Sequence, residues 1–153
     1  IGVTSIGATG GAITQSILDN VDLALRGRKQ YAATSIVTTA KVRKVLRNLS
    51  IDSGSGLFVW DRMTNTIDGK AAFDTTHLPD NLAKSTSGTV LSALVEGVFS
   101  DAWYAQWGGT EILTDPYTQA TAGMIRMVSN QYVDFNVVRK ASFQVVKDIA
   151  TGL

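Results

Sequence analysis

The sequence predicts an α+β fold, on three observations. Two amphipathic helical segments lie in the first third of the chain, at residues 11–27 and 39–49; β-branched and aromatic stretches dominate the rest; and no unit repeats at a fixed period. Helices gathered towards one end of a chain otherwise built from strands suit an α+β layout better than regularly repeated βαβ units. At 153 residues the chain has the size of one ordinary domain, so residues 11–153 are expected to form a single domain behind a linker or arm at residues 1–10.

Each element has its own signal. Residues 1–10 alternate Gly, Thr and Ser with isolated Ile and Val, which reads as a linker or arm. Ile13, Ile17, Val21 and Leu25 recur every four residues and predict a helix ending at Gly27 in a left-handed cap, with Asp22 and Arg26 paired one turn apart. YAATSIVTT predicts a strand, and Thr38 or Thr39 then caps a helix whose Val42, Val45, Leu46 and Leu49 face inward while Lys41, Lys44 and Arg47 face outward. SIDSGSG is a turn, LFVW a strand, and Asp68-Gly69 a tight turn between two extended pieces. HLPDNLAKSTSG reads as a polar loop, TVLSALVEGVF as a buried strand bracketed by Gly88 and Gly97, and the last third as at least two more strands.

The stretch FSDAWYAQWGGTEILTDPY, residues 99–117, holds two of the three tryptophans and three carboxylates. Gly108-Gly109 predicts a two-residue hairpin that pairs Trp107 with Thr110 and Trp103 with Thr114, and Asp115-Pro116 ends its second strand. Trp103, Ala105, Trp107 and Ile112 then share one face and Glu111 lies on the other, which argues against a sugar cleft. Trp103 and Trp107 are candidates for core, for a subunit interface and for ligand stacking, in that order, because each removes a large apolar area from water.

Composition closes several chemistries. Without cysteine there is no disulfide, no thiolate nucleophile and no Cys-based zinc site; no apolar run approaches a bilayer span. The common phosphate-binding, zinc-protease, serine-hydrolase and calcium-loop motifs are absent, and no cofactor is implied. His77 is the one histidine, and a triad or metal site centred on it needs Asp74 or Asp80 as a partner. Charge is distributed unevenly: seven bases and no acid lie between Asp22 and Asp52, whereas nine acids and three bases lie from Asp52 to Asp115. Three readings stay open: neutralisation within the fold, a basic face meeting an acidic face of a neighbouring subunit, or nucleic-acid binding.

In order along the chain, ATSIVTTAKVRKVLRNLSIDSGSGLFVWD, Ile67-Asp68-Gly69-Lys70 to Leu78-Pro79, Gly97-Val98-Phe99-Ser100-Asp101, Gly108-Gly109, Asp115-Pro116-Tyr117-Thr118 and Arg126 resemble the C-terminal part of tailed-phage major capsid proteins of the Hong Kong 97 type. Ala71 stands where the family commonly has Pro, and Val98 where it commonly has an acid. The resemblance implies a central mixed sheet flanked by two main helices, with extra β-hairpins. It implies an axial domain that packs around capsomer axes, with peripheral-domain strands towards the C-terminus. The family's N-terminal arm and extended loop are expected upstream of Ile1, and no partner of its Lys-Asn cross-link is matched.

The function so implied is assembly without catalysis, into hexameric and pentameric capsomers of a virion capsid made in the bacterial cytoplasm. The partners are copies of the same chain, with portal or scaffolding proteins, non-specifically contacted DNA and no membrane. The interface candidates are Arg43, Lys44, Arg47, Asp101, Trp103 and Trp107. The alternatives are an encapsulin-like nanocompartment shell and a small hydrolase using Asp101 and Asp115.

Overall fold

A computed structural model describes residues 1–30, 34–52, 54, 56–85 and 91–152. Residues 31–33 of the first expected strand, parts of the turn at 50–56, the end of the polar loop and Gly88 lie outside them. The chain divides into two compact units, Ile1–Asp101 with Arg139–Leu153 and Ala102–Val138, where a single domain over residues 11–153 was expected.

The first unit is a mixed six-stranded sheet with two helices. In chain order its elements are β1 (Gly2–Thr4), α1 (Gln15–Gly27), β2 (Ser35–Thr38), α2 (Ala40–Leu46), β3 (Thr66–Ile67), β4 (Lys70–Asp74) and β5 (Leu91–Gly97); β6 (Ala102–Asp115) and β7 (Arg126–Val137) follow in the second unit, and β8 (Phe143–Ala150) closes the first. The sheet order is β1-β8-β5-β2-β4-β3, with β1/β8 and β2/β4 parallel and the other pairs antiparallel. Gly2–Thr4, expected within a linker or arm, is therefore an edge strand. Its local sequence carries no strand signal because the pairing is supplied by β8, about 140 residues away.

α1 buries Val21 and Leu25 of the fourfold series together with Leu18, whereas Ile17 is half-buried and the buried Ile13 precedes the helix. Its end differs in detail. Gly27 is the last helical residue and Lys29 takes the left-handed conformation (φ 61°), while the N–H groups of Lys29 and Gln30 donate to the carbonyls of Arg26 and Leu25. Thr39 caps α2, its hydroxyl accepting the Val42 N–H at 3.4 Å. Leu18 and Val21 of α1 and Val42 and Leu46 of α2 join Ile36, Leu94 and Val146 of the sheet in one core, with Trp60 and Ile67. Asp68 and Gly69 both take positive φ and close the β3–β4 turn. LFVW forms no strand; a bridge joins Ser50 to Phe58, and the Val59 N–H donates to the Leu49 carbonyl.

The other face of this sheet carries a row of directly opposed residues across five strands: Val3, Val145, Val95, Val37 and Phe73. The middle three are half-buried, whereas Val3 and Phe73 are exposed.

The second unit is a two-stranded antiparallel ribbon, β6 (Ala102–Asp115) with β7 (Arg126–Val137). The hairpin expected at Gly108-Gly109 does not form. Gly108, Gly109 and Thr110 bulge out between the pairs Trp107–Tyr132 and Glu111–Asn130, where Gln131 alone opposes them. Positive φ at Gly108 (66°) suits a bulge as well as it suits a tight turn, and the long partner strand decides between them.

Candidate assembly interface

The bulge changes which side chains share a face. Directly opposed residues of an antiparallel pair point to the same side, so Trp103, Trp107, Glu111 and Asp115 lie on one face with Asp134, Tyr132 and Asn130. Ile112, expected beside the tryptophans, moves to the face of Tyr104 and Phe135; Glu111, expected opposite them, joins them. Glu111 and the two tryptophans are therefore not separated between the faces of the ribbon. What replaces it is an open ribbon: Trp103 is 64% and Trp107 56% exposed, and Tyr104, Ile112 and Phe135 are exposed on the opposite face. Neither tryptophan is core within its unit.

The carboxylates proposed for hydrolysis hold local structure. Asp115 accepts the N–H groups of Tyr117 (2.9 Å) and Thr118 (3.1 Å) and the Thr118 hydroxyl, which shapes the turn after β6. The Thr118 hydroxyl and these two amides hold its carboxyl below the ordinary 3.8, the wrong direction for a general acid near neutral pH. Asp101 accepts a hydrogen bond from Ser142. Asp74 and Asp80, the partners that His77 would need, are paired with Arg43 and Lys41, each at 2.9 Å. Among the described residues no group of three or more His, Asp or Glu side chains forms a metal site, and no helix is long and apolar enough to cross a membrane.

The same ion pairs sort the basic segment. Lys41 and Arg43 are neutralised within the chain, as the plainest reading of the charge split expects. Lys44 and Arg47 make no ion pair among the described residues. With Arg43, Asn48, Arg62 and Asp74 they line an open groove of about 440 Å³. Two aromatic rings carry cations on this side: the Arg43 guanidinium lies 5.5 Å from the Trp60 ring centre and that of Arg62 lies 5.0 Å from Phe58. Arg62 also donates to the Arg47 carbonyl at 3.0 Å, fixing the groove wall.

A network centred on the buried Glu96 has no signal in the sequence. Lys70 on β4 binds Asp22 of α1 at 2.6 Å and Glu96 of β5 at 2.7 Å, and Glu96 also accepts the Thr34 hydroxyl. Glu96 is 1% exposed. Burial pushes the Asp22 carboxyl up, but hydrogen bonds from Lys70 and Arg26 outweigh it and leave the group below 3.8. Burial likewise pushes Lys70 down, and its two carboxylate partners carry it above 10.5. A second node sits at Asp148 of β8, which accepts from Lys84 and from the Ile6 N–H and Ser5 hydroxyl just beyond β1. Burial raises its pKa and these donors lower it further than burial lifts it.

A sequence model of the phage capsid family matches residues 1–148. Solved structures that resemble the chain include the capsids of empty and native GTA particles. A capsid chain of an empty GTA particle computed with C5 symmetry superposes with a TM-score of 0.71 at 21% identity, covering 98% of this chain and 49% of that one. A chain of Mycobacterium phage Che8 gives 0.59 at 17% identity over 91% and 53%, and one of Gordonia phage Cozz gives 0.62 at 12% over 95% and 49%. The chain thus spans about half the length of the chains it matches. No curated protein matches it. At such identities the likeness speaks for the fold: a central mixed sheet, two helices and extra strands.

Proposed function

The chain belongs to the phage capsid family, and from that premise we propose that it is a structural subunit of a phage or prophage icosahedral capsid, joining head to tail into hexameric and pentameric capsomers that enclose DNA. The observation that carries this reading is the ribbon. Two strands alone are marginally stable in water, yet β6–β7 leaves large aromatic and aliphatic side chains open on both faces. Exposed apolar surface on this scale marks an interaction site, and in a shell protein the partner nearest to hand is another copy.

The six-stranded unit then acts as the axial domain around the capsomer axis and the ribbon as part of the peripheral domain. Lys44, Arg47, Trp103 and Trp107 are the interface residues. Arg43 borders the groove with its charge offset by Asp74, and Asp101 anchors the chain through Ser142 just before the ribbon departs. The work is structural rather than catalytic, its place is the virion capsid, and synthesis occurs in the bacterial cytoplasm. Portal or scaffolding proteins and DNA, contacted non-specifically, complete the partners. Electron microscopy of the purified product tests the proposal. Rings or shells are expected from the native sequence, and Lys44→Glu with Arg47→Glu is expected to leave a folded monomer; a native product that never assembles would overturn it.

A further inference from the structure

We infer that the groove beside α2 on one copy receives the Trp107–Tyr132 face of the ribbon from the next copy. This deepens the capsid reading and rests on it. The two surfaces are complementary in both charge and chemistry. Along one ribbon face, successive pairs run Ala105–Asp134, Trp107–Tyr132 and Glu111–Asn130, so an aromatic pair stands between two acids. Those acids are separated by two register steps, about 13 Å at the rise of a strand. The groove presents Lys44, Arg47 and Arg62, the last with its guanidinium against the Phe58 ring. Its surface already holds guanidinium groups against aromatic rings, at Trp60 and Phe58. A further Trp and Tyr offered to Arg47 and Lys44 extend the same chemistry, and Glu111 and Asp134 supply the charge that these two cations lack among the described residues.

Charge also selects against the symmetric alternative. Residues 102–138 carry three acids and one base, and one of those acids, Asp115, already opposes Arg126 in register. Two ribbons stacked face to face bring like charges together, which opposes an isologous contact. A groove-to-ribbon contact joins two different surfaces, and such heterologous contacts close into rings.

The chain has no cysteine, so introduced thiols report without background. Asn48→Cys marks the groove and Asn130→Cys marks the ribbon face, both at exposed positions. Each single variant is assembled alone and in a one-to-one mixture, then treated with a short bis-maleimide, which adds one thiol at each end. Covalent dimers are expected in the mixture and at least about tenfold less in either variant alone, because each copy carries one thiol and only a groove-to-ribbon contact brings unlike thiols together. Dimers from Asn130→Cys alone would mean ribbon stacked on ribbon and would overturn the pairing. In parallel, Glu111→Lys with Asp134→Lys is expected to lower the assembled fraction by at least about tenfold, and combining it with Lys44→Glu and Arg47→Glu should restore most of it. Absence of that rescue also overturns the pairing. So does a groove reversal that abolishes retention on DNA while shells still form, since the groove would then serve nucleic acid. Shells without the mixed cross-link leave the capsid reading standing and remove this contact; absence of shells from the native sequence removes both.

Discussion

Replacing Lys70 by Met tests whether the buried network holds the first unit together. Among the described residues Lys70 is the one cation paired with Glu96, whose carboxylate is 1% exposed on a central strand. Removing one partner of a buried pair costs roughly 3–5 kcal/mol, because the other charge is left without compensation in a poorly solvated site. Two features place this case at the lower end. The Lys70 side chain is itself 17% exposed, and Thr34 still donates to Glu96 after the change. The expected loss is therefore about 3 kcal/mol, which at a urea slope of about 2 kcal/mol/M lowers the midpoint by about 1.5 M. Asp22 keeps Arg26 at 2.6 Å, so little of the loss comes from α1. A second change settles the cause: Lys70→Met with Glu96→Leu removes both buried charges and should recover at least half of the midpoint shift. A single variant displaced by less than about 0.5 M, or a double variant as unstable as the single, would refute the argument.

The same groups set a pH window for stability. Asp22 and Asp148 have lowered pKa values, so their contribution is full above 3.8 and declines as pH falls through the folded values below it. Lys70 is raised, so its contribution is full below 10.5 and is lost as pH rises through its folded value above that. Urea midpoints against pH should stay level between these limits and fall on both sides. Thr39→Ala removes the α2 cap and should cost about 1 kcal/mol by urea unfolding. Asp148→Ala releases Ile6, Ser5 and Lys84, and hydrogen exchange at residues 2–6 should accelerate while the β5 amides keep their protection. Deleting Gly108 and Gly109 leaves Thr110 opposite Gln131, so the pairs Trp107–Tyr132 and Glu111–Asn130 should persist, as cross-strand NMR contacts would report.

Local period made much of the first unit legible. The fourfold spacing from Ile13 to Leu25, the Thr39 cap and Asp68-Gly69 each state their conformation within a few residues. The misreadings share another cause. Gly108-Gly109 satisfies the backbone demands of a turn and of a bulge equally, and only the 12-residue partner β7 selects the bulge. Gly2–Thr4 is a strand because β8 offers an edge, and Glu96 sits in an apolar strand because Lys70 lies across β2 from it. Both depend on contacts between residues far apart in sequence, which no local pattern encodes. The ordered motifs of the capsid resemblance supplied the fold that periodicity alone left open, whereas the basic segment pointed to a basic face but neither to a groove nor to which cations remain unpaired.

The two units solve the problem of stability in different ways, and that difference links the fold to assembly. The first buries Leu25, Leu46, Leu94 and Ile149 completely and ties its strands with ion pairs. The second has no buried residue along either strand, so its ladder of hydrogen bonds is backed by no core of its own. A ladder exposed on both faces opens at low free-energy cost. In unassembled copies, amides of β6 and β7 should therefore exchange well before those of β5 and β8, and in assembled shells the Trp103–Trp107 stretch should gain protection. Equal protection of the ribbon in both states would show that it needs no partner, and would remove the physical reason for placing it at an interface.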